Sequence, residues 1–346
     1  MTGDAIRELA RECGFELAGV ARAEPAADRA RYHEWIDAGF AGEMCYLEGR
    51  RAEARDDPRS LLASARSVIV VGKLYHTPQP LTTRWNNAER AWISRYAWGD
   101  DYHGELRRGL GRLEELLRRR AGAAFESKIC VDTAPLLERS YARLAGLGWI
   151  GRNTCLINQR SGSWFFLGEL LVSLEIDPDA PPPDRCGTCR RCIDACPTAA
   201  IVPAGGWHTV DSRLCISYFT IELRGAIPDD SRGGMGAHVF GCDICQDVCP
   251  WNRRAPVTEE TAFQARHFAP PLERLAELSE DEFQELFRGT PVTRARYTGF
   301  LRNVAVAMGN ARLEKFRVPL EKLAASADAV VAEHARWGLE RLRRGP

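Results

Sequence analysis

Eight of the twelve cysteines fall between positions 186 and 249, and their spacing constrains this chain more than any other feature. The first run is Cys186-x2-Cys189-x2-Cys192-x3-Cys196-Pro197. The second, Cys242-x2-Cys245-x3-Cys249-Pro250, matches the last three cysteines of the same pattern. Bacterial ferredoxins use this spacing to hold two four-iron clusters: three thiolates of a run wrap one corner of a cubane, and the fourth crosses to the other cluster. The residue that would complete the second run is Val239, so one ligand is missing there, and Cys215 is the nearby cysteine left to supply it. Cross-ligation then predicts Cys186, Cys189, Cys192 and Cys249 on one cluster and Cys196, Cys215, Cys242 and Cys245 on the other. Structural zinc is the competing reading, but zinc modules usually present C-x2-C pairs separated by longer loops. Cys13, Cys45, Cys130 and Cys155 stand apart and read as buried, inert thiols.

Cysteines used this way belong to a reducing compartment. The N-terminus, Met1-Thr2-Gly3-Asp4-Ala5-Ile6-Arg7-Glu8, has neither the basic flank nor the apolar stretch of a signal peptide. Apolar runs such as Val68–Val71 are far shorter than the ~20 residues of a membrane span. The expectation is a cytoplasmic protein with no membrane contact. Lys plus Arg equal Asp plus Glu at 47 each, so the chain as a whole is not a basic nucleic-acid binder, although a local basic face remains open.

Two clusters transfer single electrons, and a ferredoxin would need only this segment. About 175 residues precede it and about 90 follow, in a chain of 346, a length that suits two or three domains of ~100–200 residues. The expectation is that the clusters feed a site in the N-terminal part. That part reads as a mixed α/β domain: an amphipathic helix in the first 20 residues capped by Asp4, strands at 67–74 and 125–131, and a basic helix over 105–120. A second helix is expected from Asp132-Thr133-Ala134-Pro135 to about Ala145, with hairpin strands at 154–157 and 163–174. The stretch Asp177-Pro178-Asp179-Ala180-Pro181-Pro182-Pro183 reads as a stiff linker. Segments 280–288, 297–309, 318–325 and 327–343 read as short amphipathic helices.

Gly146-Leu147-Gly148-Trp149-Ile150-Gly151 matches G-x-G-x-x-G, but a dinucleotide fingerprint follows a strand and opens a helix. This one follows a helix, so a tight helix exit is the better reading. Asp101-Tyr102-His103-Gly104 begins like a corrinoid D-x-H-x-x-G, but its glycine falls too early for cobalt ligation by His.

The ferredoxin run occurs together with Ile129–Arg139 (ICVDTAPLLER), Gly148–Thr154 (GWIGRNT), Ser94–His103 (SRYAWGDDYH), Arg302-Asn303 and Gly309-Asn310. With these motifs the chain closely resembles the epoxyqueuosine reductase family along essentially its whole length. The resemblance implies reduction of epoxyqueuosine to queuosine in the anticodon loop of tRNA, with a cobalamin and two 4Fe–4S clusters as cofactors. It implies an α+β multidomain fold. Residues 1–176 would be an α/β cobalamin- and substrate-binding domain, 177–256 a ferredoxin-like domain with two clusters, and 257–346 a helical HEAT-like domain. It points to Asp132 as proton donor, although an Asp before a helix is ordinarily an N-cap. It places Arg55, Arg95, Arg152 and Ser217 near the cobalamin. Tyr96, Trp98, Tyr102 and His103 form an aromatic cluster suited either to stacking on an everted base or to core packing. The Arg107–Arg120 face and Arg253-Arg254 are candidate phosphate contacts, or solvated charges. An external flavodoxin or ferredoxin would deliver electrons to a monomer. The alternatives are a corrinoid reductase of small molecules and a non-catalytic electron carrier.

Overall fold

The computed structural model describes residues 1–344. Its N-terminal part is built on four strands in the spatial order Leu17–Arg22, Ser67–Leu74, Phe165–Val172, Ser127–Cys130. All three pairings are antiparallel, so the expected mixture of strands and helices is present without the parallel sheet of a doubly wound α/β domain. The β-branched run Val68–Val71 is fully buried because both faces of the sheet are covered. One face carries helices Gly3–Glu12 and Tyr102–Ala121, the latter through Leu106, Leu110, Leu113 and Leu117. That leucine spacing gives one stripe on a 3.6-residue helix. The other face carries helix Glu138–Leu144, which buries Tyr141 and Ala142. The edge strand Leu17–Arg22 is covered by the proline-rich linker: Asp179 Oδ2 accepts the Val20 N–H at 2.9 Å, and the Asp179 N–H donates to Val20 O at 2.8 Å.

Several local expectations change. The first helix ends at Glu12 and its cap is Thr2, not Asp4; Leu17 already belongs to a strand. The helix expected from Asp132 begins only at Glu138, and residues 131–137 form a loop in which Asp132 has φ +50°. Asp132 is therefore not an N-cap. Leu156–Ile157 pairs back onto Trp149–Ile150 rather than forward onto the long strand. The G-x-G-x-x-G stretch serves that pairing. Gly146 turns the chain out of the helix at φ +79°, and a Cβ on Gly148 would lie 2.2 Å from Ile157 O.

The tail helices Arg296–Ala311, Arg317–Ala324 and Ala329–Arg343 pack into one core with Trp92, Ile93 and Trp98 from the N-terminal part and with Val239 and Phe240. The strand His238–Phe240 runs parallel to Trp92–Ile93 there. This explains why Val239 replaces the missing cysteine: the position is buried in an apolar core, not turned toward a cluster. Arg302 and Asn303 join the tail to the cysteine segment. Arg302 donates to the Leu223 and Gly225 carbonyls at 2.8 and 2.7 Å, and Asn303 donates to Thr220 O and Val239 O, both at 2.9 Å. Such bonds pair four backbone carbonyls where the two segments meet.

Candidate active site and cluster cysteines

Cys186, Cys189, Cys192 and Cys249 line one cavity of about 350 Å³, together with Arg152, Arg185, Arg191 and Trp251. Burial first, then the neighbouring Cys186, raises the Cys192 thiol to about 11. Cys249 is raised similarly, by burial and then, among its neighbouring thiols, by Cys186. The other four thiols also act on one another: Cys242 lies within electrostatic reach of Cys215 and Cys196, and Cys245 of Cys242 and Cys215. Four thiols thus share one cavity, and Cys196, Cys215, Cys242 and Cys245 form a second electrostatically linked group. Among the described residues no three metal-ligating side chains converge on a single-ion centre. Four thiols around a space match the donor set of a four-iron cluster. Cys155 departs from its expected isolation, since its thiol is in hydrogen-bond contact with Cys245. The hairpin that carries it lies against the second cysteine run, where the Asn153 side-chain amide donates to Cys245 O at 3.3 Å.

Asp132 and His103 form a second centre. His103 Nε2 is 3.2 Å from Asp132 Oδ2, and His103 Nδ1 is 2.6 Å from Asp101 Oδ1. Asp101 also caps helix Tyr102–Ala121 by accepting the His103 N–H at 3.0 Å. The bonds to Asp101 and then to Asp132 raise His103 to about 9, so its imidazole is cationic at neutral pH. Burial pushes Asp132 up, but the bond to His103, its positive charge, Arg294 and the Tyr102 hydroxyl outweigh that and hold the carboxyl below the ordinary range. In the free protein the proton therefore resides on His103, which pairs with the Asp132 carboxylate.

Arg294 connects this pair to the second cysteine set. Its Nη1 is 3.9 Å from Asp132 Oδ2, and its Nη2 is 2.8 Å from Glu222 at the end of helix Ile216–Ile221, which begins directly after Cys215. Tyr96 walls the site on the same side. Its ring lies 6.4 Å from Tyr102 and 6.0 Å from Phe240, two residues before Cys242. Asp243, between Cys242 and Cys245, accepts the Ser94 hydroxyl at 2.5 Å and the Arg95 N–H at 2.8 Å. The His103–Asp132 pair and a cysteine set thus flank one segment, Ser94–Tyr96.

The residues expected around a cobalamin are dispersed. Arg95 is 2% exposed, and its Nη atoms donate to Thr77, Gln79 and Pro80, so it folds the 77–80 loop instead of presenting a free guanidinium. Arg55 is buried, donates to Arg51 O at 2.8 Å and lies over Tyr32. Arg152 lines the first cysteine cavity and donates to Gly187 O at 2.7 Å. Ser217 adjoins Cys215. Within the aromatic cluster Trp98 is core, whereas Tyr102 is part-buried and stacked between His103 and Phe166, each at 4.3 Å. Arg112 and Arg118 of the basic helix donate to Cys13 O and Phe125 O, so that face is partly structural.

Residues 185–252 match the family model of the 4Fe-4S double cluster binding domain, and residues 55–133 match that of epoxyqueuosine reductase QueG, DUF1730. A double-cluster segment beside a carboxylate–imidazole pair defines an iron–sulfur oxidoreductase. Epoxyqueuosine reductase of Xanthomonas campestris pv. campestris is 42% identical over 96% of this chain and 94% of its own length. That of Escherichia coli K12 is 37% identical over 96% of this chain and 88% of its own. The chain belongs to the epoxyqueuosine reductase family. A crystal structure of an epoxyqueuosine reductase with an epoxyqueuosine-modified tRNA-Tyr stem loop superimposes with a TM-score of 0.88 at 27% identity, covering 98% of this chain and 89% of that one. The Bacillus subtilis enzyme with its catalytic aspartate loop swung out of the active site gives 0.87 at 26% identity, covering 98% and 90%.

A pH consequence follows from His103. Its folded-state value is raised, so its interactions stabilise the protein fully below ~6.5, the ordinary value, and are lost as pH rises through about 9. Turnover is expected to fall above about 9 as the imidazolium loses its proton, and His103→Gln should remove that alkaline limb. A pH–rate profile unchanged by the substitution would assign the limb to another group.

Proposed function

We propose that this chain reduces epoxyqueuosine in the anticodon loop of a tRNA to queuosine, using two 4Fe–4S clusters and a cobalamin. The observation that carries the reading is the placement of the His103–Asp132 pair against the same short segment that contacts the second cysteine set. Removal of an epoxide oxygen as water consumes two electrons and two protons, so the reaction needs an electron path and a proton donor at one place. Cysteine sets and proton site meet that need.

The eight cysteines fit two clusters by number and grouping. The fit to a cobalamin is partial. Asp132 and His103 are available beside the second set and Ser217 adjoins Cys215, whereas Arg55, Arg95 and Arg152 are engaged by backbone carbonyls. We therefore assign corrin contact to Asp132 and Ser217 and treat the three arginines as scaffold. When bound, the cobalamin supplies the electron-rich metal centre for epoxide reduction. The protein's own part is proton delivery. His103 holds the proton between Asp101 and Asp132, Asp132 passes it to the opening oxygen, and Arg294 steadies the carboxylate. Covering the site excludes water and raises Asp132 toward its protonated form, which suits it to donate.

We assign cofactor and substrate binding to residues 1–176, the clusters to 177–256 and a HEAT-like cap to 257–346, whose paired helices support that reading. The first cysteine set lies in a cavity lined by arginines, which suits an acidic flavodoxin or ferredoxin as donor to a monomeric enzyme. No helix among the described residues is long and apolar enough to cross a membrane, and a tRNA substrate supports a cytoplasmic reading.

Anaerobic reconstitution with iron, sulfide and cobalamin, followed by assay on an epoxyqueuosine-containing stem loop, tests the function. Conversion to queuosine is expected. Binding of that stem loop should weaken by roughly tenfold or more between about 50 and about 200 mM salt, as three or more phosphate contacts would require. Equal turnover of the free nucleoside, insensitive to salt, would reject the RNA substrate.

A further inference from the structure

Behind Asp132 lies a carboxyl pair that the chemistry above does not use. Glu169 projects from the long strand Phe165–Val172, opposite Cys130, and is 0% exposed. Among the described residues no hydrogen-bond donor reaches either of its oxygens. Its polar neighbour is the carboxyl of Glu138, in the first turn of helix Glu138–Leu144. Glu138 Oε1 accepts the backbone N–H of Asp132 at 2.5 Å. An ionised carboxylate only accepts hydrogen bonds, so two of them in contact bond only if one carries a proton. Two such groups sharing a site do not both ionise.

We infer that Glu138 and Glu169 share one proton, and that the bridged pair positions Asp132. Glu169 holds Glu138, Glu138 holds the amide of residue 132, and the acid stays in the site. The need for an anchor is local. Asp132 has φ +50°, a region uncommon for non-glycine residues and kept only where the surroundings impose it. Other ties hold the Asp132 carboxylate to His103 and Thr133 O to Arg51, but the bond to Glu138 is the one that holds the residue 132 amide. Burial raises both glutamates; Asp132 raises Glu138 further while its bond to Glu169 lowers it, and Glu138 and then Asp132 raise Glu169 further. Arg139 is the cation beside Glu138, but its guanidinium also donates to Thr154 O; Cys130 is the remaining titratable neighbour of Glu169. Glu138 and Glu169 are positioning residues in this scheme, which rests on Asp132 as the acid.

The test uses the cluster-loaded protein in four forms: wild type, Glu138→Gln, Glu169→Gln and Glu169→Ala. Infrared spectroscopy should show a protonated-carboxyl band in wild type that Glu169→Gln removes. Hydrogen exchange of the peptide covering 131–137 should stay near wild type in both Gln variants, because an amide can donate to the remaining carboxylate. In Glu169→Ala it should accelerate by roughly tenfold, the order expected when one buried hydrogen-bond partner is lost. Turnover should follow the same order, with Gln recovering most of what Ala loses. Absence of the band in wild type would overturn the inference, as would unchanged exchange in Glu169→Ala or a Gln variant as damaged as Ala. Should Glu169→Ala not fold, the band and the two Gln variants decide. Infrared and exchange readouts do not require turnover, so the pair is tested even if Asp132 proves not to be the acid.

Discussion

Replacing Asp132 by Asn is expected to lower turnover by roughly 10²–10⁴, the usual contribution of a positioned general acid. The substitution keeps the shape of the side chain. Asn also tolerates a positive φ as well as Asp does, so the backbone at +50° is retained. The amide can still meet His103 Nε2 and the Tyr102 hydroxyl, but it cannot carry an acidic proton to the substrate oxygen. No helix depends on this residue as a cap, because the next helix begins at Glu138. Folding, both clusters and most corrin binding should therefore survive. Cluster absorbance, corrin binding and single-turnover reduction measured on one sample check this. Near-normal reduction by the variant would reject the acid role. Loss of cluster absorbance together with activity would make Asp132 structural.

The second large effect is expected at Cys215. It stands outside both cysteine runs, yet it lies with Cys196, Cys242 and Cys245 at the start of helix Ile216–Ile221. Cys215→Ala should reduce iron from about eight to about four atoms per chain and leave the first cluster's signal intact. Multiple turnover should stop, because the lost cluster is the one beside the proton site. Cys155→Ala, which removes the thiol touching Cys245, should keep about eight iron atoms, since four other thiols complete that set. Iron analysis and electron paramagnetic resonance on the two variants separate the assignments. Full iron in Cys215→Ala, or half in Cys155→Ala, would exchange the two roles.

The cysteine spacing determined a great deal by itself. Cluster ligation is a local property, in which three thiolates must reach one corner of a cubane, so it is written as a fixed interval and remains legible without any fold. The buried strand Ser67–Leu74, the basic helix and the tail helices were legible for a related reason: apolar residues repeat with the period of the element they form. The proton site was not legible in this way. His103 was visible only as one member of an aromatic group, although Asp101, two residues before it, carried the signal of a capped and oriented imidazole. Its partner Asp132 looked like a helix cap because its neighbours Thr133, Ala134 and Pro135 favour a helix start. Tertiary contacts overrode that preference by tying the Asp132 amide to Glu138 and its carboxylate to His103. Arg95 and Arg152 acquired their carbonyl partners for the same kind of reason: a guanidinium takes whichever carbonyls the fold brings within reach. Arg294 and Glu169 carry no motif at all, and only chain packing brings one beside Asp132 and seals the other beneath it. Groups that act through local spacing are thus fixed by the sequence, while groups that act through burial and distant partners acquire their roles only when the chain is folded.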